Sequence, residues 1–454
     1  MSTRGSKLGS VALALLALLA GACSDPEDVT RPSAVEAEVS DTISTVVTVR
    51  WTTEQPSVGY VEYGPTREME FNTPIEASET RQHSQVLYGL KPDTEYYFRV
   101  VTWDGDDAGA SEIDSVRTGD LPVGMPKFTV QGDGHDQFIV APILGTNTAA
   151  LILDADGDIV WYHVPEGELD IYRARLSVDG KSLLYNWASV SGDPANDSAL
   201  VRVALDGSGS SSIDVPLLAH DFVEHEDGTV AAIVVEYRDF EGTPLRGDKI
   251  VEIGVDGTVE TVWSAWDCFD PAVDRGEALE DGWTFANALD YDPVENAYYL
   301  GMRNFGSITK IDRESGACEW VFGLAASTIE IPPEAALFFH QHQFDLRGNR
   351  ILVMDNDGLP GKVSRVLEYE LDFEANRATE VWSYVSDPSV YTFVLGEPTR
   401  LDGGDVFINW SAAGQMERVT AAGSASWKLN SGAGVVFGFN TLAKSLYPSD
   451  ARSP

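Results

Sequence analysis

The sequence predicts an all-β protein in which a small β-sandwich precedes a six-bladed β-propeller. Three observations lead to this fold class. Short alternating strands fill the first part of the chain, a pair of hairpins recurs six times in the remainder, and apolar residues at helical spacing are almost absent. Of the 454 residues, 43% are hydrophobic and 11 are tryptophan, so the chain has enough apolar surface for buried cores.

The first residues are typical of an exported protein. Two basic residues provide a positively charged start, and residues 8–20 form an apolar stretch that is too short to span a bilayer. The small residues before Cys23 resemble a bacterial lipobox, so we expect residues 1–22 to be a lipoprotein signal peptide and Cys23 to be acylated. Residues 23–32 would then tether the protein to a bacterial membrane outside the cytoplasm, in the periplasm or at the outer membrane. The alternative is an ordinary signal peptide with an incidental cysteine.

Residues 33–118 predict the small sandwich, because short runs of alternating apolar and polar residues follow one another there. The segment 90–96, LKPDTEY, resembles the tyrosine corner of fibronectin type III domains, in which a tyrosine hydroxyl bonds to nearby backbone. Trp51 fits the buried tryptophan of such a core. We therefore expect a fibronectin type III-like module, of a kind that spaces, orients or dimerises a protein, and a linker at residues 119–127.

Residues 128–447 predict the propeller, because two kinds of hairpin alternate along them. The first kind usually ends in a tryptophan and recurs at residues 150–164, 199–215, 250–263, 308–320, 365–382 and 416–427. The second kind lies between these repeats, at residues 135–142, 179–187, 225–236, 295–304, 347–356 and 402–410. One hairpin of each kind makes a four-stranded sheet, so six pairs make six blades, and we expect the tryptophans to pack between neighbouring blades.

Cysteine usage indicates at most one disulfide bond. After Cys23 the chain contains only Cys268 and Cys318, which are 50 residues apart, about one blade repeat. A bridge between neighbouring blades is therefore possible, and two free thiols are the alternative. The chain has no CxxC pair and only seven histidines, so we expect neither a metal site nor a cofactor.

The net charge excludes one class of partner. The sequence has 31 Lys and Arg against 72 Asp and Glu, which gives a formal net charge of −41. Because nucleic acids are bound by clustered basic residues, we expect no nucleic-acid partner. An anionic substrate would need a local group of positive and hydrogen-bonding side chains.

Candidates for such a group come from the strands that border the central channel of a propeller. His220, Asn287 and His342 stand where three of the second hairpins begin, and Arg303 stands at the end of one of their strands. Because equivalent positions of different blades converge on the channel, these side chains predict a pocket for a tetrahedral oxyanion, with the arginine as a forked donor. Four other histidines are expected at the surface or in turns: His83, His135, His163 and His225.

Several segments of the predicted propeller resemble one family. AHDFVEHEDG (219–228), DGWTFANALDYDP (281–293) and HQHQFDLRGNRILVMDND (340–357) follow, in order, the blade motifs of the bacterial arylsulfate sulfotransferases. The resemblance extends over roughly residues 130 to 430. Enzymes of this family move a sulfuryl group from a phenolic sulfate ester to an acceptor phenol, and they use no nucleotide sulfate donor.

The resemblance implies a mechanism and its small-molecule partners. His342 would be the nucleophile that becomes sulfohistidine, since a neutral imidazole is a competent nucleophile near pH 7. His220, Asn287 and Arg303 would bind the sulfuryl oxygens and help with proton transfer. The partners would be an aryl sulfate donor and a phenolic acceptor, and a homodimer is possible.

One departure from the family bears on activity. Family members usually carry a histidine where this chain has Phe285, which can neither bond to a sulfuryl oxygen nor transfer a proton. His220 alone would then transfer protons, or His340 would help if its segment is extended. Alternatively, the protein is a non-catalytic or weakly active surface lipoprotein that binds a ligand or partner through its channel face. A propeller hydrolase that releases free sulfate is a third possibility.

Overall fold

The computed structural model describes residues 31–104, 107–145, 147–189, 198–276, 282–359, 361–432 and 434–448. The expected signal peptide, Cys23 and most of the expected tether lie outside the described residues. Within those ranges, no helix is long and apolar enough to cross a membrane. Almost all their regular structure is β-strand, with a short α-helix, α1 (Ala265–Cys268), and a 3₁₀ turn (Ser411–Ala413). The predicted all-β class is confirmed.

The N-terminal module is organised around one long strand. Its strands are β1 (Ser33–Val39), β2 (Val47–Gly64), β3 (Phe71–Asn72), β4 (Thr80–Leu87), β5 (Glu95–Asp104), β6 (Asp107–Ala110) and β7 (Asp114–Arg117). The first half of β2 pairs with β1 and β4 and its second half with β3 and β5, so β2 runs through both sheets. Trp51 is buried in the core, and the N–H of Lys91 donates to the hydroxyl of Tyr96 (2.9 Å), as a tyrosine corner requires.

Six antiparallel sheets form the propeller, which confirms the predicted architecture. The strands are β8 (Thr129–Gly132); β9 (Phe138–Leu144), β10 (Ala149–Leu153) and β11 (Ile159–His163) in blade 1; β12 (Asp170–Leu176), β13 (Ser182–Ala188), β14 (Ala199–Ala204) and β15 (Ser210–Asp214) in blade 2; β16 (Leu218–Glu224), β17 (Val230–Phe240), β18 (Thr243–Ile253) and β19 (Val259–Ser264) in blade 3; β20 (Ala286–Asp292), β21 (Ala297–Met302), β22 (Ser307–Asp312) and β23 (Cys318–Gly323) in blade 4; β24 (Phe344–Arg347), β25 (Arg350–Leu359), β26 (Val363–Asp372) and β27 (Arg377–Tyr384) in blade 5; and β28 (Glu397–Arg400), β29 (Val406–Asn409), β30 (Gln415–Val419) and β31 (Ala425–Asn430) in blade 6, followed by β32 (Val436–Phe437) and β33 (Thr441–Ala443). The second predicted hairpins form inner strands and the first form outer strands.

Strands from both ends of the propeller close the ring. β32 and β33 pair with β9 and give blade 1 its innermost strand, while β8 pairs with β31 on the outside of blade 6. Blade 1 is therefore built from both ends of this part of the sequence, and closure covers the edges that an open ring would expose. The predicted segment 135–142 supplies only β9.

Buried tryptophans link neighbouring blades, as the repeat predicted. Nε1–H of Trp161 in blade 1 donates to the backbone oxygen of Leu205 beyond blade 2's β14 (2.9 Å). Nε1–H of Trp427 in blade 6 donates to the backbone oxygen of Ala155 in blade 1 (3.0 Å). Each indole therefore packs its apolar rings between two sheets while its polar hydrogen is satisfied.

The prediction that four histidines lie at the surface or in turns was wrong for His83 and His135, which are buried; His225 begins a turn, as predicted, but is buried as well. His83 stacks on Trp51, with ring centroids 4.8 Å apart, in the core of the sandwich. His225 lies within hydrogen-bonding distance of the hydroxyl of Tyr298 (2.9 Å) in the next blade. Turn-like sequence could not show that a neighbouring sheet covers these side chains.

A disulfide bond joins Cys268 to Cys318, whose Cα atoms are 6.4 Å apart. Cys268 ends α1, directly after the outermost strand of blade 3, and Cys318 begins β23, the outermost strand of blade 4. The bond therefore ties two neighbouring blades together at their outer edges.

The N-terminal module contacts blade 1 through polar groups. Oγ1 of Thr45 donates to the backbone oxygen of Val160 (2.8 Å). Nζ of Lys91 lies 2.7–3.3 Å from three carboxylates of one hairpin turn, those of Asp154, Asp156 and Asp158. Among the described residues these carboxylates form the one cluster that could hold a metal ion, and the ammonium group of Lys91 lies among them.

A buried ionic layer crosses the channel of the propeller. Nε of Arg173 donates to Asp221 (2.8 Å) and its Nη1 to Glu397 (2.8 Å), while Nε2 of Gln343 donates to the same Asp221 (2.6 Å). On one side of this layer, the ends of the inner strands line a cavity of about 440 Å³. On the other side lie His220 and His342, which directly precede Asp221 and Gln343 in the sequence. The layer therefore forms the floor of the candidate site.

Candidate active site

The predicted site residues lie at one end of the inner strands, on three consecutive blades. His220 is in β16, Asn287 is in β20, Arg303 follows β21, and His342 precedes β24. The structure brings them together: the ring centroid of Phe285 lies 5.2 Å from that of His220 and 5.6 Å from Cζ of Arg303. Nδ2 of Asn287 donates to the backbone oxygen of Gln341 (2.8 Å), the residue before His342.

One amide holds His342 in a single tautomer. Nδ2 of Asn356 donates to the backbone oxygens of Thr392 (2.8 Å) and Leu395 (2.9 Å), so its Oδ1 faces the imidazole. That Oδ1 lies 2.9 Å from Nδ1 of His342. Because an amide oxygen can only accept, Nδ1 carries the proton and Nε2 carries the lone pair.

Both site histidines are neutral near pH 7. Burial, followed by the charge of Arg303, lowers the pKa of His342 to about 3, although the bond to Asn356 opposes the shift. Burial, followed by the charge of Arg246, holds the pKa of His220 well below its ordinary value. Nδ1 of His220 is buried and has no hydrogen-bond partner. Each ring therefore retains a lone pair for attack or for accepting a proton.

Asn287 is oriented by the segment that carries His342. Its Nδ2 is bonded to Gln341, and its buried Oδ1 has no hydrogen-bond partner. In this orientation Asn287 offers an acceptor to a ligand and positions the backbone before the nucleophile. Arg303 is the donor of the predicted set, and its Nη1 donates to Oδ1 of Asn304 (2.8 Å).

Phe285 lies among the polar groups of the site. Its ring centroid is 5.2 Å from that of His220. The guanidinium carbon of Arg246 lies 4.3 Å from this ring centroid, and that of Arg303 lies 5.6 Å from it. A residue that departs from the family pattern is therefore in contact with one predicted histidine and with two cations.

The backbone at Phe285 is in the left-handed region, with φ of 49°. This conformation costs a non-glycine residue about 1–2 kcal/mol. Three bonds hold it in place. The N–H of Arg303 donates to the oxygen of Phe285 (2.9 Å), and Oδ2 of buried Asp248 accepts from Oγ1 of Thr284 (2.5 Å) and from the N–H of Ala286 (2.7 Å).

His340 does not take the place of the missing histidine. Its φ is 51°, so the segment is not extended and His340 does not share a strand face with His342. Its Nδ1 lies 3.5 Å from a carboxylate oxygen of Asp357, and its side chain is partly exposed. His340 is therefore more exposed than His342, which is buried.

Sequence reasoning missed three residues of the site: Arg246, Asp248 and Asn356. Asn356 lies in a segment that resembles the family, but the sequence did not show that it bonds to His342. Arg246 and Asp248 are on β18, the third strand of blade 3, where no channel-facing residue was expected. They reach the site because the β17–β18 hairpin is long and continues past its blade.

Several solved structures are similar to this chain at low identity. A protein of unknown function from Bacteroides caccae is 13% identical, with 68% of this chain and 100% of that chain covered and a TM-score of 0.43. A streptogramin B lyase is 13% identical, with 66% and 86% covered and a TM-score of 0.38. A virginiamycin B lyase from Staphylococcus aureus is 12% identical, with 71% and 90% covered and a TM-score of 0.37. No curated protein matches the chain.

Two family models account for the two parts of the molecule. Residues 32–118 match the N-terminal domain of purple acid phosphatase, a fibronectin-like module that differs from the type III module named from the sequence. Residues 128–436, more than half of the chain, match the arylsulfotransferase model. The chain therefore belongs to the arylsulfotransferase (ASST) family.

Proposed function

We propose that this protein moves a sulfuryl group from a phenolic sulfate ester to an acceptor phenol through His342, without a nucleotide sulfate donor. The observation that carries the proposal is the fixed tautomer of His342, whose Nδ1 bonds to Asn356 and whose Nε2 holds the lone pair. Such a neutral imidazole is a nucleophile at pH 7. Family membership supports aryl sulfotransferase activity in general terms.

The reaction has two half-reactions. In the first, Nε2 of His342 bonds to sulfur while the bond between sulfur and the phenolic oxygen breaks, and the electron pair leaves with the phenolate. In the second, the oxygen of the acceptor phenol bonds to sulfur while the N–S bond breaks, which restores the imidazole. The acceptor's proton passes to the neutral imidazole of His220.

Each remaining polar residue has a proposed task. Arg303 binds oxygens of the sulfuryl group, because a guanidinium matches two oxygens of an oxyanion. Asn287 positions the backbone before His342 through its bond to Gln341 and leaves its Oδ1 as an acceptor. The buried ionic layer lies behind the two histidines. It keeps water from reaching the sulfuryl group from that side of the channel.

Two aromatic rings near Asn356 suit an aryl substrate. Tyr391 and Phe393 flank Thr392, whose backbone oxygen holds Asn356, and their ring centroids are 6.4 Å apart. Phe393 is 57% exposed. Burial and Asp357 raise the pKa of Tyr391 while Arg303 opposes the shift, so Tyr391 lies within the field of Arg303. An aryl group packed on these rings directs its sulfate toward Arg303.

The second candidate function is a ligand-binding propeller without turnover. Phe285 is the observation that favours it, because this ring stands where a proton donor is usual in the family. Such a protein would bind an aryl sulfate through Arg303 and would not cleave it.

Incubation with 4-nitrophenyl sulfate and phenol is expected to release nitrophenolate and to form phenyl sulfate in equal amounts. His342→Ala removes the nucleophile and should lower the rate by at least about 10³-fold. His163→Gln, a change outside the channel, is the matched control and should retain the rate. Wild-type release no faster than that of His342→Ala would exclude transfer. Free sulfate in place of phenyl sulfate would identify a hydrolase, and tight binding without release would identify the binding propeller.

A further inference from the structure

The ring of Phe285 lies close to two guanidinium groups. Cζ of Arg246 is 4.3 Å from its centroid and Cζ of Arg303 is 5.6 Å from it. Arg246 is buried, with 6% of its surface exposed, although it belongs to an outer strand of its blade. Burying a charged side chain costs free energy. The position of Arg246 next to the site therefore suggests that its charge has a role there.

Arg246 is held against the site by the structure of two blades. The N–H of Trp283, at the entry to β20, donates to the backbone oxygen of Arg246 (2.8 Å). Nη2 of Arg246 lies 3.8 Å from Oδ1 of Asp248. The other oxygen of Asp248 accepts from the hydroxyl of Thr284 and from the N–H of Ala286, the residues on either side of Phe285. Arg246, Asp248 and Phe285 therefore form one unit, which we name the Arg246 unit.

The positive charge of Arg246 acts within the site, where its guanidinium lies against Phe285. Of the two arginines that lower the pKa of His220, Arg246 has the larger effect, ahead of Arg303, and it favours the neutral imidazole. A second cation beside Arg303 also favours any negative charge that develops there. In a buried site such fixed charges act more strongly than in water.

We propose that Arg246, together with Arg303, stabilises the negative charge on the leaving phenolate oxygen in place of a proton donor. The proposal rests on the proposed function. When the bond between sulfur and oxygen breaks, both electrons remain on the phenolic oxygen, and no proton is transferred to it within the site. The two guanidinium groups compensate this charge.

This mechanism predicts which aryl sulfates the protein uses. A leaving group that departs as phenolate departs more easily when its phenol is acidic. The preferred donors are therefore esters of phenols with a pKa below that of an ordinary phenol, about 10. A site with a proton donor would depend less on the acidity of the leaving phenol.

The test is a series of substituted phenyl sulfates with fixed acceptor, in which kcat/KM is measured against the pKa of the leaving phenol. For the wild type we expect a steep fall in kcat/KM as that pKa rises. Arg246→Met should lower kcat/KM by about 10²–10³-fold for phenyl sulfate and by less for 4-nitrophenyl sulfate, which steepens the slope. Arg246→Lys retains the charge and should restore most of the lost rate. Phe285→His adds a proton donor and should flatten the slope.

Two controls separate this role from a structural one. Arg238→Met removes a guanidinium from the same hairpin that stacks on Trp266 (5.8 Å), away from the site, and should change neither the rate nor the slope. Arg246→Met combined with Asp248→Asn avoids a buried unpaired carboxylate and should reproduce the slope of Arg246→Met if the single variant folds poorly.

The outcomes distinguish this inference from the proposed function. If the wild type transfers sulfuryl groups but its slope equals that of Arg246→Met and of the double variant, the inference is overturned and the function stands. If the wild type transfers from no member of the series, the proposed function itself fails.

Discussion

A single hydrogen bond decides which nitrogen of His342 can react. Asn356 cannot present its Nδ2 to the imidazole, because two backbone oxygens already accept from it. The amide therefore behaves as a fixed acceptor, and it selects the tautomer with the lone pair on Nε2. Burial and the nearby charge of Arg303 keep that nitrogen unprotonated far below neutral pH.

The pKa of about 3 for His342 predicts the pH dependence of the first half-reaction. Because this pKa lies well below its ordinary value, the nucleophile stays neutral as the pH falls, and the rate of nitrophenol release in a single turnover should stay within about twofold between pH 7 and pH 5. An ordinary histidine, with a pKa near 6.5, would lose most of its rate over that range. A fall of that size would show that His342 titrates normally.

Asn356→Asp should move the acid limb of this profile to higher pH. A carboxylate at this position favours the protonated imidazole, so it raises the pKa of His342 and removes nucleophile as the pH falls. The measurement is the same single-turnover profile. Asn349→Asp, the same change in a turn of blade 5, is the matched control and should leave the limb in place. If the rate fell at the same acidic pH in the wild type and in Asn356→Asp, the assigned hydrogen bond would be contradicted.

At the level of elements, blades 3 and 4 carry most of the site. The β17–β18 hairpin brings Arg246 to the channel, and the start of β20 brings Phe285 and Asn287. The disulfide joins these two blades at their outer edges, on α1 and β23. The two sheets that hold the Arg246 unit are therefore linked covalently as well as by packing.

Replacing both cysteines, Cys268→Ser with Cys318→Ser, should lower the free energy of unfolding by about 2–4 kcal/mol. The bond closes a loop of 50 residues, and its removal restores chain entropy to the unfolded state. Denaturant unfolding of the double variant and the wild type measures the difference. Reduced wild type is the control and should resemble the double variant. Equal midpoints for all three would show that the bond does not constrain the unfolded chain.

The alternating hairpins could be assigned from sequence because strands that face a buried sheet on one side repeat their apolar residues with a period of two. The closing strands β8, β32 and β33 could not be assigned. They contain four, two and three residues, too few for a pattern, and they are strands only because β31 and β9 present free edges.

At the scale of the whole molecule, the site is a small group of cations and imidazoles within a strongly acidic protein. The net charge of −41 repels an anionic substrate at long range. Arg246 and Arg303 act only over short distances, inside a site closed on one side by the ionic layer. Substrate capture therefore depends on contact rather than on steering.

Adding salt should improve capture of an aryl sulfate. Screening weakens the long-range repulsion more than the short contacts within the site, so the KM for 4-nitrophenyl sulfate is expected to fall by on the order of twofold between 20 and 200 mM salt. Steady-state kinetics at fixed acceptor measure this, with potassium chloride and sodium chloride compared to exclude an ion-specific effect. A KM that rises steadily with salt would contradict this account of the surface.

The sequence by itself determined the all-β class, the six blades and the histidines, amide and arginine proposed for the site, because periodicity, turns and family motifs are local properties of the chain. Only the tertiary structure decided how the ring closes, which tautomer His342 adopts and where Arg246 lies. Those features depend on which groups from distant parts of the chain meet. Arg246 reaches Phe285 from another blade, and no spacing along the sequence records that contact.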